Sequence, residues 1–162
     1  MAHAERRIYA MSELHRRIYK AQVGASELTP VLEEALSELF RACDVELQLD
    51  IRANDLSVDQ MTLLVLLVHE AATNAAKHVF RPGLGKRFRV SLSRIRNGPH
   101  QLVIEDDGPG IKRVESEQHN SLGMGIMDAI ARQLGGSLDV LSSDEGTMLT
   151  VEFWGRPSDR NG

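Results

Sequence analysis

The sequence predicts an α+β two-layer sandwich, a sheet covered on one face by helices. Three observations carry this. Helical and strand periodicities occur in the order helix, helix, strand, long helix, two strands, helix, two strands. Each strand segment alternates apolar and polar residues, so each has one face to bury. Short turns join the later strands, which lets sequence neighbours pair antiparallel. The chain has 162 residues, 42% of them hydrophobic and 26% charged. That is one domain's length, with enough apolar material for one core.

The elements follow in order. Ala4, Ile8, Met11, His15 and Ile18 recur at helical spacing, so residues 3–22 form a helix with one narrow apolar stripe. Gly24 and Ser26 break it. Thr29 and Pro30 start a second helix, a cap and then proline in the first turn, which runs through Leu32, Leu36, Leu39 and Phe40. Val45, Leu47, Leu49 and Ile51 alternate as a half-buried strand, and Asn54-Asp55 turns the chain. The longest helix spans Val58 to Phe80; its first half is apolar almost all round. Lys86 to Ile95 is a strand with Phe88, Val90 and Leu92 inward, and Gln101 to Glu105 is the next. Residues 111–121 are polar. Leu122 to Leu134 is a helix that stops at Gly135-Gly136. Leu138–Ser142 and Thr147–Trp154 close the domain as a hairpin, with Phe153 and Trp154 packing at the edge of the core. The expected division is an N-terminal helix in residues 1–24, a domain in 25–155 and a disordered tail in 156–162.

Composition narrows the function. The net charge is -4, against a general nucleic-acid binder. Cys43 is the sole cysteine, so neither an internal disulfide nor a cysteine zinc cluster can form. The longest apolar run, Met61 to Val68, is too short to span a bilayer, so no membrane contact is expected. No apolar segment follows the basic residues at the N-terminus, so no secretory signal is read and a cytoplasmic location is expected.

Three segments carry chemistry. On the long helix, Glu70, Asn74 and Lys77 are spaced by four and three and share a face. An acid, an amide and an ammonium together suit a hydrated Mg²⁺ and a polyphosphate, and Mg²⁺ keeping its waters needs few protein oxygens. Asp106-Asp107-Gly108-Pro109-Gly110 ends a strand. A carboxylate there can accept from a base's amino group, and glycines allow close backbone approach. Ser121-Leu122-Gly123-Met124-Gly125 opens a helix, where free N–H groups form an anion site. Each segment also has an ordinary reading: a solvated helix face, a polar turn, a loop hinge. Arg81, Lys86, Arg87, Arg89, Arg94 and Arg96 make a basic run without acids. It reads as a solvated strand face, or as an attractor for ATP or an acidic receiver domain.

Together and in this order, the segments resemble the Bergerat-fold (GHKL) ATPases of gyrase, Hsp90, MutL and the histidine kinases. Glu70-x-x-x-Asn74-x-x-Lys77-His78 is similar to the asparagine box, Asp106-x-Gly108-x-Gly110 to the first glycine box, Gly123-x-Gly125 to the second, and Gly146-Thr147 to the terminal element. Lys77-His78-Val79-Phe80 and Gln133-Leu134-Gly135-Gly136 resemble the HWE/HisKA_2 group of bacterial sensor histidine kinases, whose pattern has alanine at the position of Val79. Arg7-Ile8-Tyr9-Ala10-Met11 resembles the second helix of their dimerisation hairpin.

The resemblance implies a mixed, mostly antiparallel sheet and an ATP-binding kinase domain that passes the γ-phosphoryl group to a histidine. It implies ATP and Mg²⁺ as cofactors. It implies a phosphoacceptor hairpin and a response-regulator receiver domain as partners. Asp106 would accept from the adenine amino group, with Thr147 in support. Asn74 would hold Mg²⁺, and Lys77 and His78 would lie near the phosphates. Gly108 and Gly110 would shape the adenine floor and lid base. Gly123, Met124 and Gly125 would give backbone room to the phosphates, and Glu70 would polarise the incoming histidine or its water. The chain departs from the pattern in lacking the acceptor motif. His15, on the apolar stripe, reads as a packed structural residue, and the segment 111–121 is a short lid. The other readings are a non-catalytic phosphotransfer adaptor of the same fold and an anti-sigma-type serine kinase.

Overall fold

The computed structural model describes Arg16 and residues 28–53, 55–111 and 122–156. Apart from Arg16, the expected N-terminal helix lies outside the described residues, as do Asn54, the lid segment from residue 112 and the tail beyond residue 156; His15 is among those left out.

Among the described residues, three helices lie on one face of a five-stranded sheet. Helix α1 spans Leu28–Leu39 and buries Leu28, Leu32 and Leu36, the i, i+4, i+8 row its sequence offers. It begins one residue before Thr29, so Thr29 and Pro30 occupy its first turn. Strand β1 is Glu46–Arg52. Helix α2, Val58–Ala75, opens on a capping box. The Ser57 hydroxyl accepts from the Gln60 N–H at 3.2 Å, and the Gln60 side chain accepts from the Ser57 N–H at 3.2 Å. Strands β2, Arg87–Arg94, and β3, His100–Asp106, follow. Helix α3 is Leu122–Gln133, and Gly135, at φ 84°, ends its last turn. Strands β4, Leu138–Ser143, and β5, Gly146–Phe153, form the closing hairpin.

The sheet order is β1-β2-β3-β5-β4. β2–β3, β3–β5 and β5–β4 are antiparallel, as expected of neighbours joined by short turns. β1 and β2 are parallel, because α2 lies between them in the chain and carries it back to the sheet's starting end. Phe88, Val90, Leu92, Leu102, Ile104, Val151 and Phe153 face the helices and are buried. The alternate residues, such as Gln48, Arg89 and Glu105, sit in register on the uncovered face.

The long helix does not stay α-helical to Phe80. After Ala75 it widens into a π turn, Ala76–Phe80, closed by the Arg81 N–H on the Ala76 carbonyl at 3.0 Å. Phe80 enters an aromatic cluster with Phe40 and Phe88, ring centroids 5.2 to 6.2 Å apart. Val79 is buried, while Lys77 and His78 stay in solvent. Such turns inside helices often mark functional positions.

The far end of the sheet is tied by groups the sequence did not advertise. His100 is buried, stacks on Phe153, and its Nε2 lies 2.8 Å from the Asp55 carboxylate, which also accepts from Arg94 at 3.0 Å. Gln60 donates to the Trp154 carbonyl and accepts from the Arg156 N–H, both at 2.8 Å, so the chain is held through Arg156. Trp154 itself is 61% exposed and is not the core-edge residue expected, because it follows Phe153 onto the open side of the strand.

Candidate functional site

The long helix links the three motif segments: Glu70 and Asn74 meet the start of α3, and Val79 on the π turn meets Gly108 after β3. Glu70 is buried and Asn74 half-buried on α2. Across from them is Gly123, in the first turn of α3. A Cβ on Gly123 would lie 2.5 Å from Glu70 Oε1, 3.3 Å from Asn74 Nδ2 and 3.5 Å from Asn74 Oδ1. A side chain there would displace the Glu70 carboxylate, so the glycine lets Glu70 and Asn74 approach the helix start. Its neighbours Met124 and Gly125 share the first turn, whose N–H groups have no acceptor within the helix. Gly125 is exposed with open space where a Cβ would stand, so packing does not require glycine there. Lys77 and His78 follow Asn74 on the exposed surface of the π turn.

Asp106 ends β3. Its Oδ1 accepts the Gly108 N–H at 2.9 Å, and the backbone N–H of Thr147, its register partner on β5, also bonds the carboxylate. Burial raises the Asp106 pKa. The Gly108 and Thr147 hydrogen bonds pull it down, and the adjacent Asp107 charge raises it further, leaving it above the usual carboxylate value. A carboxylate has about four acceptor positions, so two N–H bonds leave capacity for an external donor.

The glycines around Asp106 are fixed by close approach. A Cβ on Gly108 would meet both γ-methyls of Val79, at 2.6 and 2.7 Å. Gly110, at φ 72°, lies against the Ser143 carbonyl, and the next N–H, of Ile111, donates to Ser142 Oγ at 2.6 Å. Gly146, at φ 148°, has no room for a Cβ beside the Asp106 carbonyl. The start of the expected lid is thus tied to β4, and the start of β5 to the strand end that carries Asp106.

Sequence reasoning missed four contributors. Val79 wedges between Gly108 and Gly85; its place after the asparagine box was the available signal. Gly85 has Val79 Cγ1 and Asp107 Oδ1 each 2.7 Å from its Cβ position. Asp107 accepts the N–H groups of Lys86 and Arg87, both at 2.8 Å. Ser142 carries no sequence signal. The basic run is broken up: Lys86 reaches Asp44 at 3.1 Å, Arg89 reaches Glu105 at 3.9 Å and Arg94 reaches Asp55 at 3.0 Å. These are partly exposed pairs on a solvated face. A shallow cavity of about 280 Å³, lined by Gln48, Arg89, Glu105, Asp106, Asp107 and Glu145, reaches the strand end but includes none of Glu70, Asn74 and Gly123.

A half-buried carboxylate at a strand end, glycines packed tightly around it, and a helix start facing an acid–amide pair lie together in a two-layer sandwich. Residues 59–157 match the family described as histidine kinase-, DNA gyrase B-, and HSP90-like ATPase, and the chain belongs to that family. It is 29% identical over 119 residues to a NarQ homolog sensor protein of Haemophilus influenzae, covering 74% of this chain and 20% of that protein. It is 27% identical over 100 residues to blue-light-activated histidine kinase 2 of Erythrobacter litoralis, covering 61% of this chain and 29% of that one. The chain therefore spans less than a third of either relative. Among solved structures, the histidine kinase domain of the Erythrobacter litoralis EL346 blue-light-activated kinase superposes with a TM-score of 0.74 at 20% identity, over 92% of this chain and 73% of that one. The GHKL ATPase fold is thereby established. Among the described residues, no helix is long and apolar enough to cross a membrane.

Proposed function

We propose that residues 25–155 are the ATP-binding catalytic domain of a two-component sensor histidine kinase, acting in the cytoplasm, and that residues 1–24 belong to its dimerisation hairpin. The observation that carries this reading is the meeting of Gly123 with Glu70 and Asn74, beside a strand end whose carboxylate is partly desolvated.

In this reading Asp106 accepts from the adenine amino group. The Gly108 N–H on its Oδ1 holds the carboxylate at the strand end. Gly108 and Gly110 form the floor and the lid base. The first-turn N–H groups of Gly123, Met124 and Gly125 face the phosphates, with the Lys77 ammonium and the His78 ring beside them. The residues suit Mg²⁺. Among the described residues no group of three or more His, Cys, Asp or Glu could hold a metal alone, so a cation here needs phosphate and water oxygens. In this reading the Asn74 amide oxygen would be the protein donor that joins them. When bound, the ion would neutralise charge on the phosphates. Glu70, buried behind Gly123, would accept the proton of the attacking imidazole or orient its water. Phosphoryl transfer asks mainly for such positioning and charge neutralisation. The acceptor histidine lies on a hairpin, and a receiver domain takes the group onward.

The test is transfer. The full chain with γ-labelled ATP and a separately supplied phosphoacceptor hairpin should place label on the hairpin histidine. Asn74→Ala should place none. ATP binding without any transfer in the presence of the hairpin would overturn the kinase reading and leave a non-catalytic adaptor.

A further inference from the structure

The loop from Arg81 to Lys86 leaves the π turn and must return to the sheet. Its first half stays with the turn it came from: the Gly83 N–H bonds the Phe80 carbonyl at 3.0 Å, and the Leu84 N–H bonds the Val79 carbonyl at 2.8 Å. Its second half is captured by one atom. Asp107 Oδ1 accepts the N–H of Lys86 and the N–H of Arg87, each at 2.8 Å. Hydrogen bonds to an ionised acceptor are about twice as strong as neutral ones. At the same place Gly85 brings its α-carbon against both Asp107 and Val79, and Val79 in turn touches Gly108. Asp107, Gly85, Val79 and Gly108 thus form a closed ring of contacts between the segment after the asparagine box and the strand end that holds Asp106.

We propose that Asp107 is a positioning residue for adenine recognition: its carboxylate holds the 81–86 loop against the end of β3, so that Val79 keeps Gly108, and through it Asp106, in place. The inference rests on the nucleotide reading above and assigns a role to a residue that this reading leaves idle. Asp107 does not reach the base. The two N–H groups it holds lie near solvent. Water replaces a lost partner there at little cost to the fold, but water does not fix the loop. The consequence of losing Asp107 therefore falls on selectivity more than on stability.

This separates positioning from simple support. Weakened folding lowers the affinity for every nucleotide together. A displaced Asp106 loses the contact that distinguishes a 6-amino purine from a 6-oxo purine, so ATP affinity falls towards that of GTP. Asp107→Asn keeps an oxygen that can accept both N–H groups and removes the charge. Asp107→Ala removes both. Gly85→Ala perturbs the ring from the other side, since its Cβ would stand 2.7 Å from Asp107 Oδ1 and from Val79 Cγ1.

The experiment titrates ATP and GTP, each with Mg²⁺, into the full chain and these variants, with thermal melts alongside. Asp107→Ala should weaken ATP binding at least tenfold and shrink the preference for ATP over GTP at least fivefold. Asp107→Asn should stay within about threefold of wild type in both. Gly85→Ala should follow Asp107→Ala in direction, and it decides the matter should Asp107→Ala not fold. An unchanged ATP-to-GTP ratio in Asp107→Ala, or in Gly85→Ala if that is the variant that folds, overturns the proposal, as does failure of Asp107→Asn to rescue. Failure of wild type to bind ATP at all refutes the nucleotide reading itself and takes this inference with it.

Discussion

Gly108→Ala isolates the contact between the asparagine-box helix and the adenine floor. Gly108 has no positive φ, so alanine meets no backbone strain there. Its methyl would stand 2.6 and 2.7 Å from the two γ-carbons of Val79 and 2.9 Å from Asp106 Oδ1. Ordinary carbon contacts are about 3.5–4.0 Å, so each pair is roughly an ångström too close. Val79 cannot yield by rotation: a β-branched side chain on a helical turn has essentially one χ1 well, and moving one methyl out brings the other in. The backbone of the strand end or of the π turn has to shift, and overpacking of this kind costs about 1–3 kcal/mol. For a chain of this size, about 2 kcal/mol corresponds to a fall in Tm of roughly 4–8 °C. Val79→Ala alone should also destabilise, by about 1.5 kcal/mol for two lost methyls. The double variant removes the clash, so the two changes should offset each other by about 1 kcal/mol or more. Urea denaturation of the four proteins measures this. A Gly108→Ala protein as stable as wild type, or strictly additive changes, would refute the wedge.

Three further outcomes follow from the same geometry. Asp106→Asn should raise the stability of the ligand-free protein at pH 7 while abolishing ATP binding. Because burial raises the Asp106 pKa in the folded state, its contribution is most favourable below the unfolded-state value and declines as pH rises through the folded one; a melt series from pH 3.5 to 7 should show the stability gain of Asn growing with pH. Gly146→Ala should destabilise by more than about 2 kcal/mol, since alanine disfavours φ 148° and its Cβ would collide with the Asp106 carbonyl; a denaturation midpoint equal to wild type contradicts this. Asn74→Ala should erase the difference between ATP affinities measured with Mg²⁺ and with EDTA, and a Mg²⁺ dependence that survives removes Asn74 as the metal's protein ligand.

Much of this arrangement was legible in residue order. The alternation in Phe88, Val90 and Leu92 reads directly as a strand with one buried face, and it is buried. The spacing of Glu70 and Asn74 placed both on one helix face, where they meet Gly123. What escaped depends on contacts between distant segments. Nothing in Ala76–Phe80 departs from α-helical preference; the π turn goes with burial of Val79 and Phe80 against partners elsewhere in the chain. The parallel pairing of β1 and β2 comes from the helix between them, which a neighbour-pairing rule overlooks. Asp106 and Asp107 are indistinguishable as letters. Strand parity separates them, turning one towards the helices beside Gly108 and the other onto the backbone of the returning loop. Gly125, matched by motif, has nothing near its Cβ position, so its glycine carries no packing signal.

The central claim is that an adenine nucleotide docks at the end of β3. Calorimetric titration of Mg-ATP into the full chain, into Asp106→Ala and into Asp139→Ala, an exposed β4 control, tests it most directly. The account predicts saturable one-to-one binding in wild type and in Asp139→Ala, and none in Asp106→Ala. Equal affinity in all three proteins, or no heat in any, would contradict it.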